Sequence, residues 1–240
     1  MTGAVIVTGA AGGIGAALCD RMRKDGYIAI GIDRNVAPAA DTYLQVDLAD
    51  TEQLVQLGGE LARDYELKAV VHNGAVQPIA AAGETPFEEW TNALRVNVLA
   101  VDALVSGTRE SLAANDGSVV AISSVHGRAT TGGITAYATT KAALEGWVRS
   151  AAMDLGPDIR VNAVCPGAID TAKLREGFAR WGESAEERKE VLRQRTALRR
   201  IGEPSDVAGA VSFLIGADAR FITGSVLVVD GGATARLGSE

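Results

Sequence analysis

Residues 4–33 read AVIVTGAAGGIGAALCDRMRKDGYIAIGID. Ala4 to Thr8 is a short, β-branched apolar run with the length and composition of a buried strand. A glycine-rich turn, Gly9 to Gly15, follows it. The next residues carry a helical pattern that stops at Gly26, a helix C-cap. Tyr27 to Ile32 is a second strand, and Asp33 closes it. Strand, glycine turn, helix, strand and acid in this order turn a bare glycine pattern into a dinucleotide-site expectation. Gly9 permits the tight turn, Gly13 lets backbone approach a pyrophosphate, and Gly15 lets helix pack on strand; the N–H groups at the helix start attract phosphate charge. Asp33 is positioned to accept hydrogen bonds from adenosine ribose hydroxyls and to repel a 2′-phosphate, although Arg34 beside it could swing towards one.

The alternation continues downstream. Gln45 to Leu48 reads as a short strand whose end, at Asp47 and Leu48, reaches an adenine, or else as the approach to a helix beginning at Thr51. Thr51 to Tyr65 is helical, with Leu54, Leu57 and Leu61 on one face. Leu67 to Val71 is a strand that runs into His72-Asn73-Gly74-Ala75. Pro86 and the acids after it open a helix that continues to about Ala114. It contains Asn97, a poor residue for a helix interior, which either bonds neighbouring backbone or serves a site. Further strands are expected over Ser118–Ser123, Asp158–Val164 and Ser225–Asp230, with a helix opened by Pro204. Strands alternating with helices imply a parallel sheet covered on both faces. The expected fold is α/β: a Rossmann-like, doubly wound, three-layer α/β/α domain over residues 1–240, with seven strands ending near residues 8, 32, 47, 71, 123, 164 and 229. Residues 168–200 are polar and charge-rich, either a lid over the substrate or a solvated face. Arg175 and Arg180 within them could meet an acidic substrate.

Composition narrows the function classes. Apolar residues make up 47% of 240 and aromatics only 5%, as in a parallel-sheet core of Ala, Val, Leu and Ile. The net charge of −7 argues against nucleic acid as a partner. With two cysteines and two histidines, all apart in sequence, neither a metal site nor a disulfide framework is expected. No apolar run is long enough to span a membrane, and the N-terminus runs straight into the first strand. A cytoplasmic protein is expected.

The reactive groups lie in Ser124 to Lys141, SVHGRATTGGITAYATTK. Tyr137 and Lys141 are four apart in a helical run, so they share a face. An ammonium beside a phenol favours the phenolate and lowers its pKa, which suits acid–base work near neutral pH. Ser124 ends a strand and can reach the same space. His126, two residues on, either touches a bound polar group or is a loop histidine bonded to backbone. Gln77, after the fourth strand, could also line the pocket.

These motifs together resemble the short-chain dehydrogenase/reductase family over essentially the whole chain. Thr8 to Gly15 matches its TGxxxGIG, Asn97 its helix asparagine, and Ser124, Tyr137 and Lys141 its serine and YxxxK. Pro166-Gly167 with Thr171 matches its nicotinamide-carboxamide stretch. Arg199 to Ala208 is similar to its RxGxPxDVA segment, and Asp230-Gly231-Gly232 to its last-strand ending. One departure stands out: the family has Asn-Asn-Ala-Gly where this chain has His72-Asn73-Gly74-Ala75. Asn73 is kept, the two small residues are exchanged, and His72 could replace one hydrogen bond of the first Asn.

The resemblance implies an oxidoreductase that interconverts a secondary alcohol and a ketone. Asn97, Ser124, Tyr137 and Lys141 would be catalytic: Tyr137 the acid/base, Ser124 the partner of the substrate oxygen, Lys141 the holder of the nicotinamide ribose, and Asn97 the keeper of a relay water. The cofactor would lie against Gly9, Ala11, Gly12, Gly13 and Ile14, against Asp33 and Arg34, and against Asp47 and Leu48. It would continue past Asn73, Gly74 and Ala75 to Tyr137 and Lys141, with Pro166, Gly167, Ile169 and Thr171 at its nicotinamide end. Ser124, His126, Gln77 and Tyr137 would meet the substrate, a small alcohol or ketone. Asp33 favours NAD. A 3-oxoacyl-thioester reductase and a catalytically silent dinucleotide sensor are the alternatives. Small residues along the helix from Tyr137 to Leu155 suggest a homo-oligomer, a tetramer or a dimer.

Overall fold

The computed structural model describes residues 3–179 and 182–235. The apolar runs form seven strands: β1 (Ala4–Thr8), β2 (Ile28–Asp33), β3 (Thr42–Gln45), β4 (Leu67–His72), β5 (Ser118–Ile122), β6 (Arg160–Pro166) and β7 (Val226–Val229). Every pairing is parallel, in the order β3-β2-β1-β4-β5-β6-β7. The order reverses between β1 and β4, the switch point where ligands bind in such sheets. One strand is corrected. The sequence points to Gln45–Leu48 for the third strand, but pairing with β2 ends at Asp33↔Gln45. Beyond it the Asp47 carboxylate accepts from the Ala49 N–H, and the Asp50 carboxylate accepts from the Gln53 N–H to cap the next helix. Asp47 and Leu48 therefore lie in the turn after the strand.

Both faces of the sheet are buried, which is why the strands read as continuous apolar runs. In β1, Ala4 and Ile6 pack on one side and Val5 and Val7 on the other. The first side is covered by α2 (Thr51–Asp64), by α4 (Ala100–Ala114), which follows α3 (Phe87–Leu94), and by α5 (Thr135–Leu155). The second is covered by α1 (Gly13–Lys24) and α8 (Pro204–Ile215), while α6 (Ala172–Ala179) and α7 (Ala185–Arg195) lie between β6 and α8 in sequence.

The helix expected to run unbroken to Ala114 contains a π turn, Arg95–Leu99, between α3 and α4. Asn97 sits in the middle of it. A π turn widens the helix locally and marks functional positions in many proteins. The poor helix former and the irregular turn thus occur together.

Helices α2 and α4 cross through glycines. A Cβ on Gly107 would run into the Val55 carbonyl oxygen and lie 3.0 Å from the Gly58 Cα. Backbone atoms cannot yield as a side-chain end can. Gly107→Ala is expected to destabilise the protein by about 2 kcal/mol through overpacking, lowering Tm by roughly 4–8 °C. Thermal unfolding followed by circular dichroism checks this, and an unchanged Tm would mean that the two helices can move apart freely.

Candidate active site

The carboxyl ends of β1 and β4 meet through one side chain. The Thr8 hydroxyl accepts from the Asn73 N–H at 3.0 Å and the Gly74 N–H at 3.1 Å. Its third contact is His72 Nδ1 at 3.0 Å. A hydroxyl has two lone pairs and one proton. Both lone pairs are committed, so the proton goes to Nδ1, and the His72 ring carries its own proton on Nε2. That nitrogen has no hydrogen-bond partner of good geometry, although the backbone of Val96 and Asn97 is near enough to favour its protonation. Burial dominates: His72 is fully buried and its pKa falls from 6.5 to about 3, lowered further by Lys141. His72 is a neutral strut between β4 and the π turn.

The glycine turn is fixed by the same region. The Asn73 side-chain amide donates to the Gly9 carbonyl, 3.0 Å away. Gly9 has φ +64°, and a Cβ on it would stand 2.7 Å from the Gly74 Cα. A Cβ on Gly74 would meet Leu48 Cδ1. The exchanged order Gly74-Ala75 is therefore matched to the leucine that packs on it. Asp33 holds the other side, accepting from the Ala11 N–H through Oδ2 at 3.1 Å and from the Asn35 N–H through Oδ1 at 2.8 Å.

A pyrophosphate suits this turn. Helix α1 begins at Gly13 with no side-chain cap and no acid in its first turn, so its leading N–H groups are open to an anion. Gly13 brings in the far end of the chain: a Cβ there would be 3.2 Å from Thr171 Cγ2. Pro166 ends β6, and Gly167 hydrogen-bonds the Val229 carbonyl. Ile169 bridges to Gly202 and is itself buried, so it sets the course of this loop. Arg34 and Asp47 are exposed, and Asp47 is engaged in its own turn. Ala11 and Ile14 are partly buried, Ala75 likewise, and Gly12 is exposed on the turn.

At the other end of the cleft, Tyr137 and Lys141 rise from one face of α5. Lys141 is 2% exposed. Its Nζ donates to the Ile122 carbonyl at 2.7 Å and stands 5.6 Å from the Tyr137 ring centre. Burial, then the positive charge of Lys173, lowers its pKa to about 7. Ser124 is buried at the end of β5, and its hydroxyl bonds the Tyr137 phenol. His126 lies on this site too. Its ring meets that of Tyr137 edge-on at 6.1 Å, while its N–H bonds Ser124 Oγ and its Nδ1 bonds Thr130 Oγ1. Gln77 is half-buried on the loop after β4.

Three expectations change. The Tyr137 pKa is raised rather than lowered, because burial outweighs the Ser124 hydrogen bond; Lys141 yields its own charge by burial. The Asn97 side chain is committed to protein: its Oδ1 accepts from the Val76 N–H at 2.8 Å, and its Nδ2 donates to the Val76 carbonyl and to Thr140 Oγ1. Thr140 in turn donates to the Tyr137 carbonyl. Asn97 thus braces the β4 loop against the turn that carries Tyr137. Arg175 is paired with Asp170 at 3.3 Å, and Arg180 lies outside the described residues. The 168–200 segment divides: α7 is a solvated, internally paired face, while α6 reaches the site through a residue the sequence reading passed over. Lys173 Nζ stands 5.9 Å from the Tyr137 ring centre. Its signal was its position, two residues beyond Thr171.

A family model described as enoyl-(acyl carrier protein) reductase matches residues 9–234. The human dehydrogenase/reductase SDR family member 4 is 33% identical over 97% of this chain and 87% of its own. The ligand-free aldohexose dehydrogenase of Thermoplasma acidophilum superposes with a TM-score of 0.94 at 30% identity, covering 100% of this chain and 96% of its own. A 4-hydroxyisoleucine dehydrogenase complexed with NADH is 26% identical, with a TM-score of 0.85 over 98% of this chain and all of its own. A putative gluconate 5-dehydrogenase from Beutenbergia cavernae with bound NADP is 28% identical, with a TM-score of 0.89 over 98% and 97%.

The neutral His72 has a consequence for acid stability. Its folded pKa of about 3 lies below the unfolded value of about 6.5. Between those values the unfolded chain holds the extra proton, so stability falls as pH drops below 6.5, by up to about 1.4 kcal/mol per pH unit. His72→Asn is expected to remove that part of the slope in urea unfolding between pH 6.5 and 4.5. Equal slopes in both proteins would show that His72 is protonated or solvated when folded.

Proposed function

The chain belongs to the short-chain dehydrogenase/reductase family, and from that premise we propose that it interconverts a secondary alcohol and a ketone using NAD. The observation that carries the reading is the convergence of Ser124, Tyr137 and Lys141 at one end of a cleft whose other end is an uncapped, glycine-lined helix start. NAD, when bound, supplies the hydride acceptor for oxidation. Tyr137 exchanges a proton with the substrate oxygen, and Ser124 hydrogen-bonds that oxygen and stabilises charge developing on it. Lys141 holds the nicotinamide ribose. Gly9, Gly13, Asp33, Asn73 and Thr171 hold the rest of the cofactor. Asn97 acts by bracing, and any water it keeps would have to use a site beyond its three protein hydrogen bonds. Residues 1–240 work as one domain, with α6 bordering the substrate pocket and alcohol oxidation as the main direction.

NAD is preferred on the strength of Asp33, whose carboxylate would repel a 2′-phosphate. The described residues include no helix long and apolar enough to cross a membrane. Buried free thiols at Cys19 and Cys165, both pushed up to about 12, suit a cytoplasmic protein. On α5, Ala151 and Ala152 are buried within the chain. Ala142, Ala143 and Met153 face outward, and we assign that face to a homo-oligomer contact. The family model's description favours a second reading, reduction of an enoyl thioester.

Tyr137→Phe is expected to lower turnover by about 10²–10⁴-fold while NADH still binds, as read by its fluorescence. Turnover at the parent rate would remove Tyr137 from its role. If the parent protein binds NADH but turns over nothing in a broad alcohol and ketone panel, the silent sensor replaces the dehydrogenase. KM values for NAD and NADP measured side by side check Asp33: NAD is expected to be tighter and Asp33→Ala to narrow the gap. Tighter use of NADP by the parent protein would reverse the assignment.

A further inference from the structure

A second ammonium group faces the reactive phenol. Lys173 Nζ lies 5.9 Å from the Tyr137 ring centre, and Lys141 Nζ lies 5.6 Å from it. The two lysines come from unrelated elements. Lys141 is buried in α5 and spent on the Ile122 carbonyl. Lys173 comes from the first turn of α6 and is exposed. Among the described residues it has no hydrogen-bond or ion-pair partner. Nearby carboxylates do not answer it. Asp170 is taken by Arg175, and Glu145 by Arg128 and Ser123. Glu176, three residues along α6, makes no ion pair with it. Surrounding protein still lowers the Lys173 pKa, and its charge in turn lowers that of Lys141. In a chain of net charge −7, two lysines border the reactive phenol: Lys141, whose charge burial weakens, and Lys173, which is exposed and unpaired among the described residues.

We propose that Lys173 is the anion-recognition residue of the substrate pocket, and that the preferred substrates are short hydroxy acids and the matching oxo acids. This rests on the dehydrogenase reading of the same site. A lone, strongly hydrated ammonium at the rim gains most from a charged acceptor. The ammonium stands 5.9 Å from the centre of the phenol ring, so the carboxylate it binds is expected on a short chain close to the carbinol. Arg175, which the sequence offered for this task, is held back by Asp170. Lys173 reaches the ring instead, because α6 starts directly after Thr171, itself packed on Gly13.

The test pairs a carboxylate with its neutral twin: 3-hydroxybutanoate against methyl 3-hydroxybutanoate, and 2-hydroxybutanoate against its methyl ester. Binding to the enzyme–NADH complex is read by NADH fluorescence, and turnover with NAD is read separately. Both use the parent protein, Lys173→Gln and Lys173→Arg. The binding arm is repeated in Tyr137→Phe, where no chemistry is needed. The acids are expected to bind at least about tenfold better than the esters. Lys173→Gln should erase that preference and Lys173→Arg should keep most of it, with NADH affinity unchanged throughout. The proposal is overturned if the parent protein shows no preference for the acids, if Lys173→Gln retains it, or if Lys173→Gln weakens NADH to the same degree, which would assign the lysine to the cofactor. Preferential acid binding without any turnover would instead overturn the dehydrogenase reading and leave the anion site standing.

Discussion

One hydroxyl sets the geometry on which the cleft depends. Thr8 ends β1, and its oxygen holds the first two N–H groups beyond β4 while its proton goes to His72. Backbone N–H groups at a strand end need partners when buried, and here a side chain supplies them at the point where strand order reverses. The consequence is a fixed distance between the β1 and β4 turns. That distance brings Gly9 against Gly74 and lets the Asn73 amide reach the Gly9 carbonyl. The family's Asn at position 72 would offer Thr8 a different partner. The imidazole is larger and neutral, and it reaches on to the π turn. Exchange of the following Ala and Gly belongs to the same local solution, since Leu48 occupies the space an alanine methyl at 74 would need.

From the π turn the constraint passes to the reactive helix. Asn97 ties Val76 to Thr140, and Thr140 ties to the carbonyl of Tyr137. On the other side, the Ser123 hydroxyl bonds the Lys141 carbonyl and Glu145, and Glu145 bonds Arg128. Buried polar groups that are fully satisfied rigidify what they join. The turn of α5 carrying the phenol and the ammonium is therefore clamped from both flanks, by side chains that need not touch a substrate.

Much of this was legible in the chain. The glycine turn, the strand count and the Ser124–Tyr137–Lys141 set follow from short-range pattern, because each depends on residue type and spacing. What pattern could not give depends on long-range contact. Pattern places β3 three residues late, because the Asp47 turn and the Asp50 helix cap follow directly and carry no local mark of where pairing with β2 stops. Asn97 was recognisable as anomalous, but its three partners come from two distant segments. Spacing shows the lysine beside Tyr137 and hides the desolvation, so pattern alone gives the opposite sign for the phenol's pKa. Lys173 carries no motif at all; it matters only because α6 folds back over the phenol. Arg160 is equally silent, although it satisfies the Leu214 and Ile215 carbonyls at the end of α8 and the Ala219 carbonyl just beyond it.

The electrostatics of the site then follow from two opposed effects. Desolvation holds Tyr137 as the protonated phenol and drives Lys141 towards the neutral amine, so both groups are pushed to their uncharged forms. In that state the phenol is ready to donate to a ketone oxygen. To accept a proton from an alcohol, it must find its phenolate favoured, and a cation against the ring is what achieves that. Lys173, exposed on α6 with its Nζ 5.9 Å from the ring centre, is placed to be one such cation. A carboxylate held by Lys173 would cancel part of that contribution, and a positively charged ring beside the phenol would restore it. The proton on Tyr137 is thus governed first by burial and then by the groups gathered around its ring, and the chain's overall acidity has little part in it.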